Sequence, residues 1–141
     1  MQDRYLFKAK RVDNGEWVQG YYVKGFDVLT NCKENHIIFE LNTMFYSSGE
    51  TDGWYRVDPS TICQCTGLKD KNGKLIWEND IVRTVYDGNE HIYQVVWDES
   101  ELDFKATNGK ENYESNFEYL PCCDEIEILG NCLDNPELLE V

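Results

Sequence analysis

Two cysteines, Cys63 and Cys65, stand two positions apart. On an extended segment both side chains leave from one face, the arrangement that places two thiolates beside a zinc ion. A structural zinc site needs two further ligands. Cys122, Cys123 and Cys132 supply them only if the fold draws those positions together, and Cys32 lies in a separate stretch. The spacing does not compel a metal site, so the thiols are expected to be free and no cofactor is expected. His36 and His91 are the only histidines, each in a predicted strand. Neither has the spacing of a metal helix or a nucleophile pair. No phosphate loop, dinucleotide fingerprint, zinc-protease helix or nucleophile elbow occurs, and two histidines leave little material for proton transfer at neutral pH. An enzyme is therefore the last-ranked reading.

Asp98, Glu99, Glu101 and Asp103 crowd one short segment. On a continuous strand Glu99, Glu101 and Asp103 share a face, and like charges so placed call for a cation, a basic partner or screening by water and salt. Without the glycine of a calcium loop, the cation reading is weak. These four residues are the candidate partner-binding set. They belong to a wider asymmetry: the net charge is −14, yet residues 1–86 carry 12 acids against 11 bases while 87–141 carry 15 against 2. A surface that acidic repels phosphate backbones, so direct nucleic-acid binding is not expected. It suits solubility, a basic protein partner, or imitation of nucleic acid.

The elements that position these residues read as strands. Tyr5, Phe7 and Ala9 alternate with Leu6, Lys8 and Lys10; Ile37, Phe39 and Leu41 alternate with polar or mixed neighbours. Leu102, Phe104 and Ala106 oppose Glu101, Asp103 and Lys105, and Ile126 and Ile128 sit between Glu125 and Glu127. Period-two alternation of this kind marks half-buried strands. Tyr93, Val95 and Trp97 form one apolar face with Ile92 and Val96 on the other, so that strand is expected to be covered on both sides. Trp17, Trp54, Trp77 and Trp97 with nine tyrosines either fill a sheet core or line a groove.

Asn14-Gly15, Asn72-Gly73, Asp87-Gly88 and Asn108-Gly109 accept positive φ and read as turns between strands. The polar segment 47–53 reads as a loop. Single helical turns are expected at Pro59–Ile62, capped by Asp58, and at Asn135–Leu139. Neither a signal peptide nor a membrane span is expected, which places the reduced cysteines in the cytoplasm.

The stretch Thr66-Gly67-Leu68-Lys69-Asp70-Lys71-Asn72-Gly73-Lys74-Leu75-Ile76-Trp77-Glu78-Asn79-Asp80-Ile81-Val82 resembles the signature of the YopX family of phages and prophages. Tyr5 to Lys10 resembles that family's opening strand, and Ile126–Asn131 followed by Asn135–Leu139 resembles its ending. Asn79 stands where the family usually places glycine, a substitution that tolerates the same positive φ. Cys63 and Cys65 stand where small or aromatic residues are usual. The resemblance implies a β-rich fold with an SH3-like barrel in the C-terminal half, and no activity.

The reading that follows is a mainly β chain. Residues 62–141 form a small SH3-like barrel, and residues 1–61 form an N-terminal β subdomain packed on it; a single β-sandwich is the alternative. Asp80 is expected to position the turn after Asn79. The expected function is a non-enzymatic protein-interaction module with an unidentified protein partner, no membrane association and homo-oligomerisation open. A nucleic-acid mimic acting on a host DNA-binding protein is the second reading.

Overall fold

The computed structural model describes residues 5–27, 33–40, 53–100, 102–107 and 117–139. Its regular structure there is strands β1 to β11, every ladder antiparallel, with 3-10 turns at Pro59–Thr61, Leu120–Cys122 and Pro136–Leu139. No α-helix occurs among the described residues. The chain divides into two compact units, Met1–Gln64 and Cys65–Val141.

In the first unit β1 (Phe7–Lys10), β2 (Trp17–Asp27), β3 (Lys33–Glu40) and β4 (Trp54–Arg56) lie in the order β4-β3-β2-β1, and the first residues of β5 (Cys63–Lys69) pair with β1. Along β2 the inward residues Val18 and Gly20 are buried while Gln19, Tyr21 and Val23 are exposed. Register then fixes the core: Val18 opposes Ala9 and Tyr22 opposes Ile38. Ala9, Val18, Ile38 and Val57 are the buried cluster, with Phe7, Tyr22, Tyr55 and Ile62 packed on it. Ile38 is fully enclosed, a burial that contributes about 1.5–3 kcal/mol. Tyr5 is 72% exposed and precedes β1, so the expected face of Tyr5, Phe7 and Ala9 shortens to Phe7 and Ala9. Asp58 caps the turn at Pro59–Thr61, accepting from the Ser60 N–H at 2.9 Å, and the Thr61 hydroxyl accepts the Lys10 N–H at 2.8 Å.

In the second unit the end of β5 pairs with β6 (Leu75–Trp77). Strands β7 (Asp80–Tyr86), β8 (Asn89–Asp98), β9 (Asp103–Thr107) and β10 (Phe117–Tyr119) form a meander, and β11 (Glu125–Asn131) returns beside β7. Asp87 and Gly88 take φ of 50° and 80° between paired Tyr86 and Asn89, the two-residue turn that matches strand twist. Val82, Tyr93, Val95, Phe104, Ala106 and Ile126 meet over Ile76 and Leu120 as the core. The order β10-β9-β8-β7-β11 is open, with no ladder joining β10 to β11 among the described residues. The mainly β architecture therefore stands as two antiparallel sheets.

Three sequence expectations change here. Leu102 does not continue the Phe104 and Ala106 face; it is 74% exposed with φ of 53° in the connection before β9. Lys105 is not on a solvated face, being 3% exposed with its ammonium 2.6 Å from Asp98. β8 is covered on both faces only at its Val96 end, since Ile92 is 40% exposed. The turn at Asn108-Gly109, Leu41 and most of the segment 47–53 lie outside the described residues.

Candidate functional site

Within the seventeen-residue stretch 66–82, Thr66, Asp70 and Asp80 spend side-chain oxygens on backbone groups. The Thr66 hydroxyl donates to the Ile76 carbonyl at 2.8 Å and accepts from the Leu68 N–H at 3.1 Å. Asp70, 7% exposed, accepts three backbone N–H bonds: Asn72 at 2.9 Å and Lys74 at 3.0 Å on one oxygen, Ile128 at 3.1 Å on the other. Burial pushes this carboxyl up, but the donors outweigh it and hold it below the usual carboxylate range. The Lys71 N–H adds a bond to the Ile126 carbonyl at 2.9 Å, so the turn 70–74 is clasped to β11. That clasp covers part of a sheet edge that would otherwise offer free backbone groups. Asp80 accepts the Trp77 N–H at 2.8 Å and braces the turn through Asn79, whose φ is 72°. Asn79 itself donates its N–H to Val95 and accepts from Cys132. The most specific motif of the sequence is thus a set of turn and edge fasteners.

The acidic candidates do not form a strand face. β8 stops at Asp98 and β9 starts at Asp103, so Glu99 sits in a turn. The cause is local: Asp98 accepts the Ser100 N–H at 2.9 Å and hydroxyl at 2.6 Å, a side-chain turn that competes with the ladder. Its second oxygen meets Lys105. Asp103 is half-buried and accepts the Phe104 N–H at 2.8 Å. Glu99 is exposed, and Glu101 lies outside the described residues.

Other charges of this unit are also engaged. The Arg83 guanidinium reaches Glu90 at 2.6 Å, Glu127 at 3.2 Å and Glu125. The Lys71 ammonium lies 3.8 and 3.7 Å from Glu125 and Glu127. Arg83, with Lys71 second, holds the Glu125 carboxyl below its usual range. A cleft of about 350 Å³ opens between Leu68–Lys71 and Leu120–Ile126. Of its carboxylates, Asp70 and Glu125 are bound as above and Asp124 accepts the Asp87 N–H at 3.0 Å.

Cys63 and Cys65 are buried, the first donating to the Thr61 carbonyl at 3.3 Å and the second accepting from Gly67 at 3.4 Å. Burial raises the Cys132 thiol above its usual range. Among the described residues no three His, Cys, Asp or Glu side chains gather as a metal site. His36 Nδ1 lies 2.6 Å from the Tyr22 hydroxyl, inside the first unit.

One surface is built differently. The first unit's sheet buries one face and turns the other outward, where Tyr21 on β2, Phe39 on β3 and Trp54 on β4 are direct cross-strand neighbours. Tyr21 and Trp54 are 47% and 38% exposed. The next row is Val23, Ile37 and Arg56. Across β1 the Lys8 and Lys10 ammonium groups lie 4.7 and 5.4 Å from the Trp17 ring. Sequence reading missed this face because β3 is apolar on both sides: Ile38 is the buried residue, and Ile37 and Phe39 are only half-buried. The outward run Trp17, Gln19, Tyr21, Val23 against buried Val18 and Gly20 was the available signal.

The described strands thus form two small antiparallel units, the second with its turns fastened by structural carboxylates and the first with Tyr21 and Trp54 exposed on its sheet. The YopX protein family model matches residues 6–140, and the chain belongs to that family. Comparison with curated proteins gives no match. No helix among the described residues is long and apolar enough to cross a membrane.

Proposed function

We propose that this protein is a non-enzymatic binding module working through the outward face of its first unit. The observation that carries the reading is the row Tyr21, Phe39 and Trp54, with Val23 and Ile37 beside it, on a sheet whose other face already holds the core. Contiguous exposed apolar surface of this kind marks interaction sites. The acidic set Asp98, Glu99, Glu101 and Asp103 contributes less to the proposal, since Asp98 is committed to Lys105 and Ser100. The nucleic-acid mimic has less support for a similar reason: Glu90, Glu125 and Glu127 share Arg83.

The SH3-like reading of the second unit belongs to the same proposal. What supports it is a four-strand meander, a 3-10 turn at Leu120–Cys122, and a fifth strand returning beside the first. Phage or prophage origin is proposed on the family resemblance, and a reducing cytoplasm on the sequence expectation of reduced cysteines. A photo-activatable residue at Tyr21 or at Trp54 tests the binding face in host cells. Adducts with a discrete macromolecule are expected at both positions and not at Ile92 on the second unit. Adducts equal at all three, or at none, would overturn it.

A further inference from the structure

The outward face has a size and a charge balance that narrow its occupant, taking the binding role proposed above as given. Cross-strand neighbours in antiparallel pairs stand about 4.5–5.5 Å apart at Cα, so Tyr21, Phe39 and Trp54 set three rings across about 10 Å of sheet. None of the three makes a ring contact with another described residue. Tyr21 and Trp54 are exposed and Phe39 is half-buried. An aromatic side chain carries about 150–250 Å² of surface, so the row leaves on the order of 250 Å² open. A stable protein interface takes about 800 Å² from each partner, well beyond the row. Charges of both signs border the rings. Lys8 and Lys10 lie at Trp17, and Trp54 and Arg56 line a hollow of about 260 Å³ together with the Arg11–Asp13 ion pair. Residues 1–64 carry 9 acids against 7 bases, within a chain of net charge −14. A polyanion therefore meets neither a cationic strip nor an attractive long-range field.

We infer that this face binds a neutral glycan, a chain of six-membered sugar rings stacked along Tyr21, Phe39 and Trp54. The face of an aromatic ring carries partial negative charge. A pyranose with equatorial hydroxyls presents a flat face of weakly positive axial C–H bonds, so the two attract although the ligand has no net charge. The hydroxyls around the sugar rim donate and accept at once, and a border of both signs suits them. Gln19, exposed on β2, and Asn35, half-buried on β3, lie on the same side of the sheet by alternation and register. Their amides likewise donate and accept. The Arg11–Asp13 pair stands beside Trp54, and an ion pair still has lone pairs and N–H groups to share with a hydroxyl. Successive sugars meet successive aromatic residues, which a row across three strands provides.

Titration of the full-length chain with cellohexaose and chitohexaose, both neutral and β-linked, followed by saturation-transfer NMR tests the inference. At least one should bind, with saturation strongest at its axial ring protons. Hyaluronan oligosaccharide and oligothymidine, both anionic, should bind at least about tenfold more weakly. Tyr21→Ala and Trp54→Ala should each weaken sugar binding by roughly an order of magnitude. Two conservative variants separate stacking from bulk and from folding: Tyr21→Leu keeps apolar volume and should lose binding as Tyr21→Ala does, whereas Trp54→Phe should retain most of it. Ile92→Ala serves as the surface control. Because the ligand carries no charge, affinity should hold within about twofold between about 50 and 500 mM sodium chloride. Sugar binding that is absent for both, untouched by the ring substitutions, preserved in Tyr21→Leu, or lost with salt overturns the inference. If both sugars fail while cross-linking at Tyr21 captures a protein or a polynucleotide, the ligand class is wrong and the binding face survives; failure of both removes the face as well.

Discussion

Asp70 shows how much of a signature can rest on one carboxylate. It serves three backbone N–H groups on two segments, so truncation leaves buried donors without acceptors. Asp70→Ala should lower stability by about 3 kcal/mol, read by urea unfolding monitored by tryptophan fluorescence. The sign with pH follows from the depressed carboxyl. The contribution is present above the unfolded-state value near 3.8 and is lost as pH falls through the lower folded-state value. Asp70→Ala should therefore flatten the acid limb of the stability curve, and an unchanged limb would show that the clasp is weak. Thr84 is the opposite case. Its hydroxyl is fully buried and finds no hydrogen-bond partner among the described residues. Thr84→Val, close in shape, should stabilise by about 1 kcal/mol in the same measurement.

At the scale of elements, glycine and asparagine decide where strands can approach and turn. A Cβ built on Gly20 would stand 1.8 Å from the Phe39 carbonyl oxygen, a backbone atom that cannot swing aside. Gly20→Ala should thus cost more than about 2 kcal/mol and disturb the β2–β3 ladder on which the aromatic row depends. Thermal unfolding together with loss of the ring-dependent binding would register both effects. The turns at Gly15, Gly73 and Asp87-Gly88 take the positive φ that their dipeptides announce. The Tyr93, Val95 and Trp97 face was equally legible, because alternation there coincides with a single core. Alternation failed at 99–105, where the Asp98–Ser100 turn interrupts what reads as one strand. It also failed to mark the candidate site, since β3 is apolar at 37, 38 and 39 and only register against Tyr22 shows that Ile38 is the inward one. The 3-10 turn at Leu120–Cys122 carried just one local sign, Pro121.

On the scale of the whole molecule the charge acts through its sum. With a net charge of −14, mutual repulsion opposes compaction and is screened by added salt. The melting temperature should rise as sodium chloride goes from about 20 to 200 mM, the range over which the screening length shortens to under about 10 Å. A fall would mean that the Arg83 and Lys71 bridges outweigh the repulsion. The outward aromatic face gives the same charge a second consequence, in colloidal behaviour. A chain that leaves Tyr21, Val23 and Trp54 open to water carries an adhesive surface, and long-range repulsion is what holds two such surfaces apart. Near the isoelectric point of about 4.4 that repulsion vanishes while the rings remain. Turbidity should peak there and be reduced by Tyr21→Ser with Trp54→Ser, substitutions that leave the isoelectric point where it is.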